Sequence, residues 1–320
     1  MSSAICTLFE GHYDLGVGAL INSLVFHGFK GRVVVGYRGR LPRWRENGTG
    51  EQDYPPLNHV ICDRSVDDIE MMFVPLTTSV HLTNYKPDFM LDILSAFEEL
   101  DRLFYLDPDI CLNRSWFRFE EWASCGVTLC EDVAYPLSEN HPRRVGWRQF
   151  FKTKGFSLKF KDSGYANGGF VGVSRAQIEF LDLWQRLQVA MADEIGSLST
   201  AKLEGGVTFK SKGFFECFDC SDQDALNAAR EAYDGLVSLL GREAMSFQEG
   251  VSLLTHALGQ PKPWTRNVWK SFLQGFPPTR ADKNFWRHQT PIQLYGKKTL
   301  MCKRLSIKLT SFLSRFYRRS

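Results

Sequence analysis

Two short apolar runs set the first limit on the fold. Residues 4–9 (AICTLF) read as a buried strand, and residues 32–37 (RVVVGY) as a second, short and β-branched one. Between them, residues 14–29 have helical length, although Leu15, Ala19, Asn22, Leu24 and Phe26 are too mixed for one apolar stripe. Gly28 and Gly31 mark the exit. Strand, helix, strand is the opening of a doubly wound α/β unit, so a parallel sheet is expected.

The pattern continues downstream. Residues 38–58 hold Gly, Pro, Asn and charges with little periodicity, which predicts a long surface loop, and residues 59–62 a short third strand. Residues 86–100 place Phe89, Met90, Ile93, Leu94 and Phe97 at helical spacing, with Pro87 in the first turn. An apolar strand over 102–106 (RLFYL) runs straight into Asp107-Pro108-Asp109, and further strands are predicted at 126–130 and 169–173. Residues 175–192 form a helix with a broad apolar face, and another short helix follows Asp222. Residues 131–165 have no steady period; within them residues 136–151, with Arg143, Arg144, Trp147 and Arg148, suit an ordered acceptor lid or an anionic acceptor, with a solvated loop as the alternative.

The chain has 320 residues, 43% hydrophobic and 23% charged, enough to bury one large α/β core and too apolar for a disordered chain. Residues 15–29 are free of charge but include Asn22, Ser23 and His27, short of the ~18–20 apolar residues of a membrane span. No basic segment followed by an apolar one opens the chain, so a cytosolic protein with reduced thiols is expected. Eight cysteines are too sparse for a disulfide framework. The Cys217 and Cys220 pair, with Cys125 and Cys130, leaves a zinc site as the alternative to buried thiols.

Charge is distributed unevenly. The net charge is +3, yet residues 297–320 carry eight Lys or Arg and no acid, so the part before them sums to −5. Asp282 is the last acid, and the domain division is drawn there, with a main domain over 1–282 and a basic tail over 283–320. In the tail, Met301, Leu305, Leu309, Phe312 and Phe316 recur at three- and four-residue steps between basic residues. This predicts an amphipathic helix suited to the anionic cytosolic face of a membrane, with a packed C-terminal helix as the alternative. No nucleic-acid motif accompanies the charge, so nucleic acid is not an expected partner.

Asp107 and Asp109 follow a strand, where open α/β sheets bind ligands, and two carboxylates on one side of an extended segment suit Mn²⁺ or Mg²⁺. His256 adds an imidazole, which Mn²⁺ accepts better than Mg²⁺. Gly259 permits close backbone approach to a phosphate, and Lys262 is a point charge for a diphosphate.

With these residues in this order, the chain resembles the GT-A nucleotide-sugar glycosyltransferases, most closely the retaining family 8 of the glycogenin and lipopolysaccharide galactosyltransferase type. The likeness spans residues 4–264 and rests on four stretches: the first strand and the turn to Tyr13, LFYLDPDI, ANGGF with DQDALN, and HALGQPKPW. It implies a GT-A, Rossmann-like, mostly parallel sheet flanked by helices, and transfer of a sugar from a nucleoside-diphosphate donor, UDP above all, to a saccharide or lipid-linked acceptor. It also implies roles: Asp107, Asp109 and His256 as metal ligands, and Thr7, Leu8, Tyr13, Lys86, Asn167, Gly168, Gly259 and Lys262 as donor-binding residues. Gln223 would steady the oxocarbenium-like sugar and Asp222 would hold its hydroxyls. Glu10-Gly11-His12-Tyr13 departs from the Asp or Asn that family members often carry two positions before the tyrosine. A non-catalytic sugar- or nucleotide-binding module on the same fold is the alternative. A sugar-nucleotide pyrophosphorylase would be expected to show a Gly-rich loop after the first strand, which is missing here.

Overall fold

The structure, a computed structural model, describes residues 2–45, 50–63, 65–134, 136–200 and 217–316. In chain order its first half holds β1 (Ser3–Glu10), α1 (Asp14–Phe26), β2 (Gly31–Arg38), β3 (Gly50–Tyr54), β4 (Leu57–Cys62), β5 (Ile69–Pro75), α2 (Lys86–Ala96), β6 (Arg102–Leu106) and β7 (Ile110–Leu112). Then follow α3 (Phe117–Trp122), β8 (Val127–Glu131), α4 (Pro142–Thr153), β9 (Ala166–Ser174), α5 (Ile178–Ile195) and α6 (Ser221–Ala232). The chain closes with β10 (Val237–Leu240), β11 (Leu254–His256), α7 (Val268–Leu273), α8 (Arg280–Arg287) and α9 (Lys297–Leu313).

Nine strands form one sheet in the order β10-β8-β9-β6-β1-β2-β5-β4-β3. Seven run one way, and β9 and β4 run against them. This is the expected α/β class with a large, mostly parallel sheet flanked by helices. Both faces are covered, which explains the unbroken apolar run of β1: Ala4, Cys6 and Leu8 enter one core cluster with Phe89, Ile93 and Trp184, while Ile5 and Phe9 enter the opposite one with Leu20 and Leu24.

The missing stripe on α1 also has a cause. Gly16 through Leu24 are all buried, because the sheet covers one side of the helix and the C-terminal segment the other. Asn22 donates to the carbonyls of His288 and Ile292 and accepts from the Ile292 N–H, and Ala19 packs with Trp264, Phe285 and Ile307. A helix buried all round has no polar face to reveal its period.

Two expectations fail. The surface loop over 38–58 contains β3 and the start of β4, a hairpin that extends the sheet at its edge. Its Gly50–Tyr54 strand is exposed and polar, held by backbone pairing, and so gives no apolar signal. The lid over 136–151 is instead α4, packed into the body. Trp147 is fully buried with its indole N–H donating to the Cys217 carbonyl, and Arg144 is buried against Glu231 and the Gly164 carbonyl. The arginines there are consumed by internal carboxylates.

Candidate active site

The site lies where the carboxyl ends of β1 and β6 meet the start of β9. Because β9 is antiparallel to β6, its first residues reach the edge at which β6 ends. The Asp107 N–H donates to the Gly169 carbonyl at 2.8 Å, and the Ile110 N–H closes the Asp-Pro-Asp turn onto the Asp107 carbonyl at 3.1 Å. β7 then pairs with β11, Ile110 opposite His256, which brings that histidine beside the two aspartates.

The His256 Nε2 lies 3.1 Å from Asp109 Oδ1 and 3.6 Å from Asp107 Oδ2. One ligand atom from each of the three residues falls within 4.8 Å of the others, and no other such group occurs among the described residues. Lys262 pairs with the second Asp109 oxygen and donates to the Ala257 carbonyl. Burial alone would raise the Asp109 pKa, but His256 and Lys262 outweigh it and bring the carboxyl down to about 2. Burial likewise lowers His256, and the two aspartates more than reverse it, so its pKa is raised. Two carboxylates and an imidazole fit a divalent ion such as Mn²⁺ or Mg²⁺, and the buried His256 Nδ1 has no hydrogen-bond partner among the described residues.

Beside this cluster sits a second one. Lys86 is 1% exposed, and its ammonium donates to the Gly168 carbonyl at 2.8 Å and to Asp222 Oδ2 at 3.1 Å, with Asp107 Oδ1 at 3.5 Å. Burial raises the Asp222 pKa against the pull of Lys86, with the negative charge of Asp107 adding to the rise. Gln223 accepts from the Gly168 N–H at 3.2 Å. Gly169 separates the clusters: a Cβ there would lie 2.8 Å from each of Asn167 Oδ1, Asp107 Oδ2 and His256 Cε1, so only glycine fits.

A cavity of about 280 Å³ opens over the aspartates and is lined by Leu8, Tyr13, His81, Tyr105, Asp107 and Lys262 among others. The loop after β11 folds around Tyr13. Trp264 meets its ring edge-on at 5.5 Å between centroids, Gln260 donates to its hydroxyl at 3.3 Å, and the Lys262 ammonium lies 5.7 Å from its ring centre. On the other side of His256 is a cavity of about 430 Å³ reaching Val133, Leu258 and Arg280.

No protein-family model and no curated protein sequence matches the chain. Among solved structures, the bifunctional glycosyltransferase WbbM is similar at a TM-score of 0.47 and 14% identity, covering 95% of this chain and 52% of that one. The glycosyltransferase GlyE of Streptococcus pneumoniae TIGR4 is similar at a TM-score of 0.50 and 14% identity, covering 97% and 64%. The fold is that of a glycosyltransferase. The chain spans 52% and 64% of the length of these two solved proteins.

On this glycosyltransferase fold the residues singled out from sequence separate into three groups. Leu8, Tyr13, Asp107, Asp109, His256 and Lys262 share one cavity wall. Lys86, Asn167, Gly168, Asp222 and Gln223 gather next to it, linked by the Lys86 and Gly168 bonds. Asn167 is committed internally, donating to Asp132 and accepting from the Gly169 N–H. Thr7 and Gly259 stand apart from the cavity. Thr7 is fully buried on the face of β1 shared by Ile5 and Phe9, and Gly259 turns the loop between His256 and Lys262 at φ +67° with open space at its Cβ position.

Asp222 lies in the first turn of α6, whose cap is Cys220. The four cysteines do not form a cluster: Cys217 is buried in one core and Cys130 in the core on the opposite face of the sheet. Sequence reasoning gave no role to Tyr105, whose hydroxyl donates to Asp107 Oδ1 at 2.9 Å, or to Trp264, although both lie in the quoted stretches, and it missed His81 and Asp132. Tyr105 was discoverable, since it precedes Asp107 by the two-residue step that puts side chains on one side of a strand.

Proposed function

We propose that the protein is a metal-dependent, retaining glycosyltransferase of the GT-A type that takes a nucleoside-diphosphate sugar, with UDP the favoured nucleotide. The observation that carries this reading is the Asp107, Asp109 and His256 donor set, with Lys262 and Tyr13 on the same cavity wall. The retaining outcome and the preference for UDP rest on the family 8 resemblance. The acceptor is a saccharide or a glycolipid.

The two carboxylates and the imidazole would hold Mn²⁺ or Mg²⁺, which as a Lewis acid offsets charge developing on the departing diphosphate. Tyr13 offers a ring face for the base. Lys262 lies within reach of both Tyr13 and Asp109, which supports assigning its ammonium to the diphosphate. Lys86 and Asp222, paired with each other beside the cavity, are the donor and acceptor this reading assigns to the sugar hydroxyls. Gln223, half-buried at the start of α6 and accepting from the Gly168 N–H, is the group this reading assigns to steady the oxocarbenium-like sugar, without supplying a strong base.

A donor panel tested by thermal shift with Mn²⁺, followed by turnover, tests the reading. UDP sugars should raise the melting temperature only with the metal and release UDP slowly even without acceptor. Metal-dependent binding with no turnover on any donor and acceptor would favour the binding module, and no metal-dependent shift at all would sink both.

A further inference from the structure

The C-terminal helix does two things at once. Ile307 and Thr310 are buried against the body, Lys303 donates to the Arg266 carbonyl and Arg304 to the Trp286 carbonyl, so one side of α9 is fixed. The opposite side leaves Met301, Leu305, Leu309, Phe312 and Phe316 between 43% and 72% exposed. The packed-helix and amphipathic-surface readings of the tail thus describe different faces of one helix.

This stripe does not stand alone. Trp269 on α7 donates its indole N–H to Ser306, in the middle of α9, at 3.1 Å. Trp269 and Leu273 are one helical turn apart and both exposed, and Phe276 follows in the next turn, 61% exposed. Of the seventeen large apolar side chains exposed among the described residues, nine lie on these two helices and that turn. Isolated exposed apolar residues are ordinary, whereas a concentration of this kind marks a surface that meets another phase or molecule.

Charge selects the occupant. Residues 265–320 contain thirteen Lys or Arg and one acid, Asp282, which is 2% exposed and bound by Arg266. Lys297, Lys298, Lys308 and Arg315 are exposed around the stripe. Arg318 and Arg319 lie outside the described residues. A second copy of the chain would set this cationic face against itself, and an anionic bilayer would not.

We propose that α7, the turn after it and α9 form one rigid face that docks on anionic lipid, with the apolar side chains entering the headgroup boundary. Because Arg266 binds the Phe276 and Pro277 carbonyls and also lines the cavity beyond His256, the face continues into that cavity's rim. A docked molecule therefore presents the 430 Å³ cavity next to the bilayer and, resting on the glycosyltransferase reading, in reach of an acceptor anchored there.

Flotation of the full chain with neutral phosphatidylcholine vesicles and with vesicles containing phosphatidylglycerol tests this, and needs no sugar transfer. Binding should require the anionic lipid. Leu273→Ser with Phe276→Ser on the α7 side should weaken it roughly tenfold, and Leu305→Ser with Phe312→Ser by at least as much. An unchanged melting temperature and unchanged Mn²⁺ binding show that the variants are folded. Full binding by the α7 variant would reduce the face to α9 and overturn the composite surface. Equal binding to neutral vesicles, or a lipid-free dimer that both variants dissolve, would overturn the membrane assignment.

Discussion

Asp109 and Asp222 sit at two ends of one site, equally withdrawn from water, and their pKa values move in opposite directions. Burial opposes ionisation at both. At Asp109, His256 and Lys262 overcome it and the carboxyl falls to about 2; at Asp222 a single lysine does not, with Asp107 adding repulsion, and the pKa rises. Burial therefore does not decide the state of a carboxylate; the number of cations in contact does. The end proposed for the metal holds an ionised group already matched by positive charge, which a divalent ion can replace. The end proposed for the sugar holds hydrogen-bonding groups engaged with the lattice of Lys86, Gly168 and Gln223.

The largest expected effect comes from destroying the first end. Asp109→Ala should lower sugar transfer by roughly 10²–10³-fold and remove the Mn²⁺-dependent rise in melting temperature; transfer near the wild-type rate would break the assignment. Next, Lys86→Met leaves the Asp222 carboxylate buried and unpaired, at a cost of about 3–5 kcal/mol in denaturant unfolding. A loss below about 1 kcal/mol would mean that the second end is solvated.

The pH response sharpens the contrast. In metal-free protein the Asp109 contribution is complete above the unfolded value near 4 and is lost as pH falls toward 2, about 2 kcal/mol in all. The stability deficit of Asp109→Asn should therefore close on acidification. His256 acts at the other extreme: its raised pKa adds stability below the unfolded value near 6.5 that disappears as pH rises through the folded one. Asp222→Asn should show the smallest change. Its raised pKa means that ionisation costs stability at neutral pH, so the amide should be within about 1 kcal/mol of wild type, or above it, at pH 7. A deficit as large as that of Asp109→Asn would erase the distinction.

What could be read from the sequence follows the same division between local and distant partners. β1, β2 and the Asp-Pro-Asp turn were visible because a buried strand or a strand end carries its own signal, and α1 only from its length between two strands. The β3–β4 hairpin was not, since Gly50–Tyr54 faces solvent. α4 was misread because its arginines find their carboxylates on α6, beyond the reach of any local pattern. The Asp107, Asp109, His256 and Lys262 cluster could be read from its residue chemistry and the Lys86, Asn167, Asp222 and Gln223 cluster only through resemblance, while their separation was not legible, because Gly169 divides them through contacts with residues far apart in the chain. His81 reaches the cavity from the segment after β5 with no periodicity to announce it.

The pairing of Ile110 with His256 also bears on how the molecule is made. It joins positions separated by almost half the chain, a closure of high contact order that is slow to form. A ribosome must finish β11, and the loop that carries Lys262, before the last proposed metal ligand can meet the first. Nascent or truncated chains ending earlier would hold Asp107 and Asp109 without the histidine, so the donor set proposed for the metal is complete only once β11 has been made.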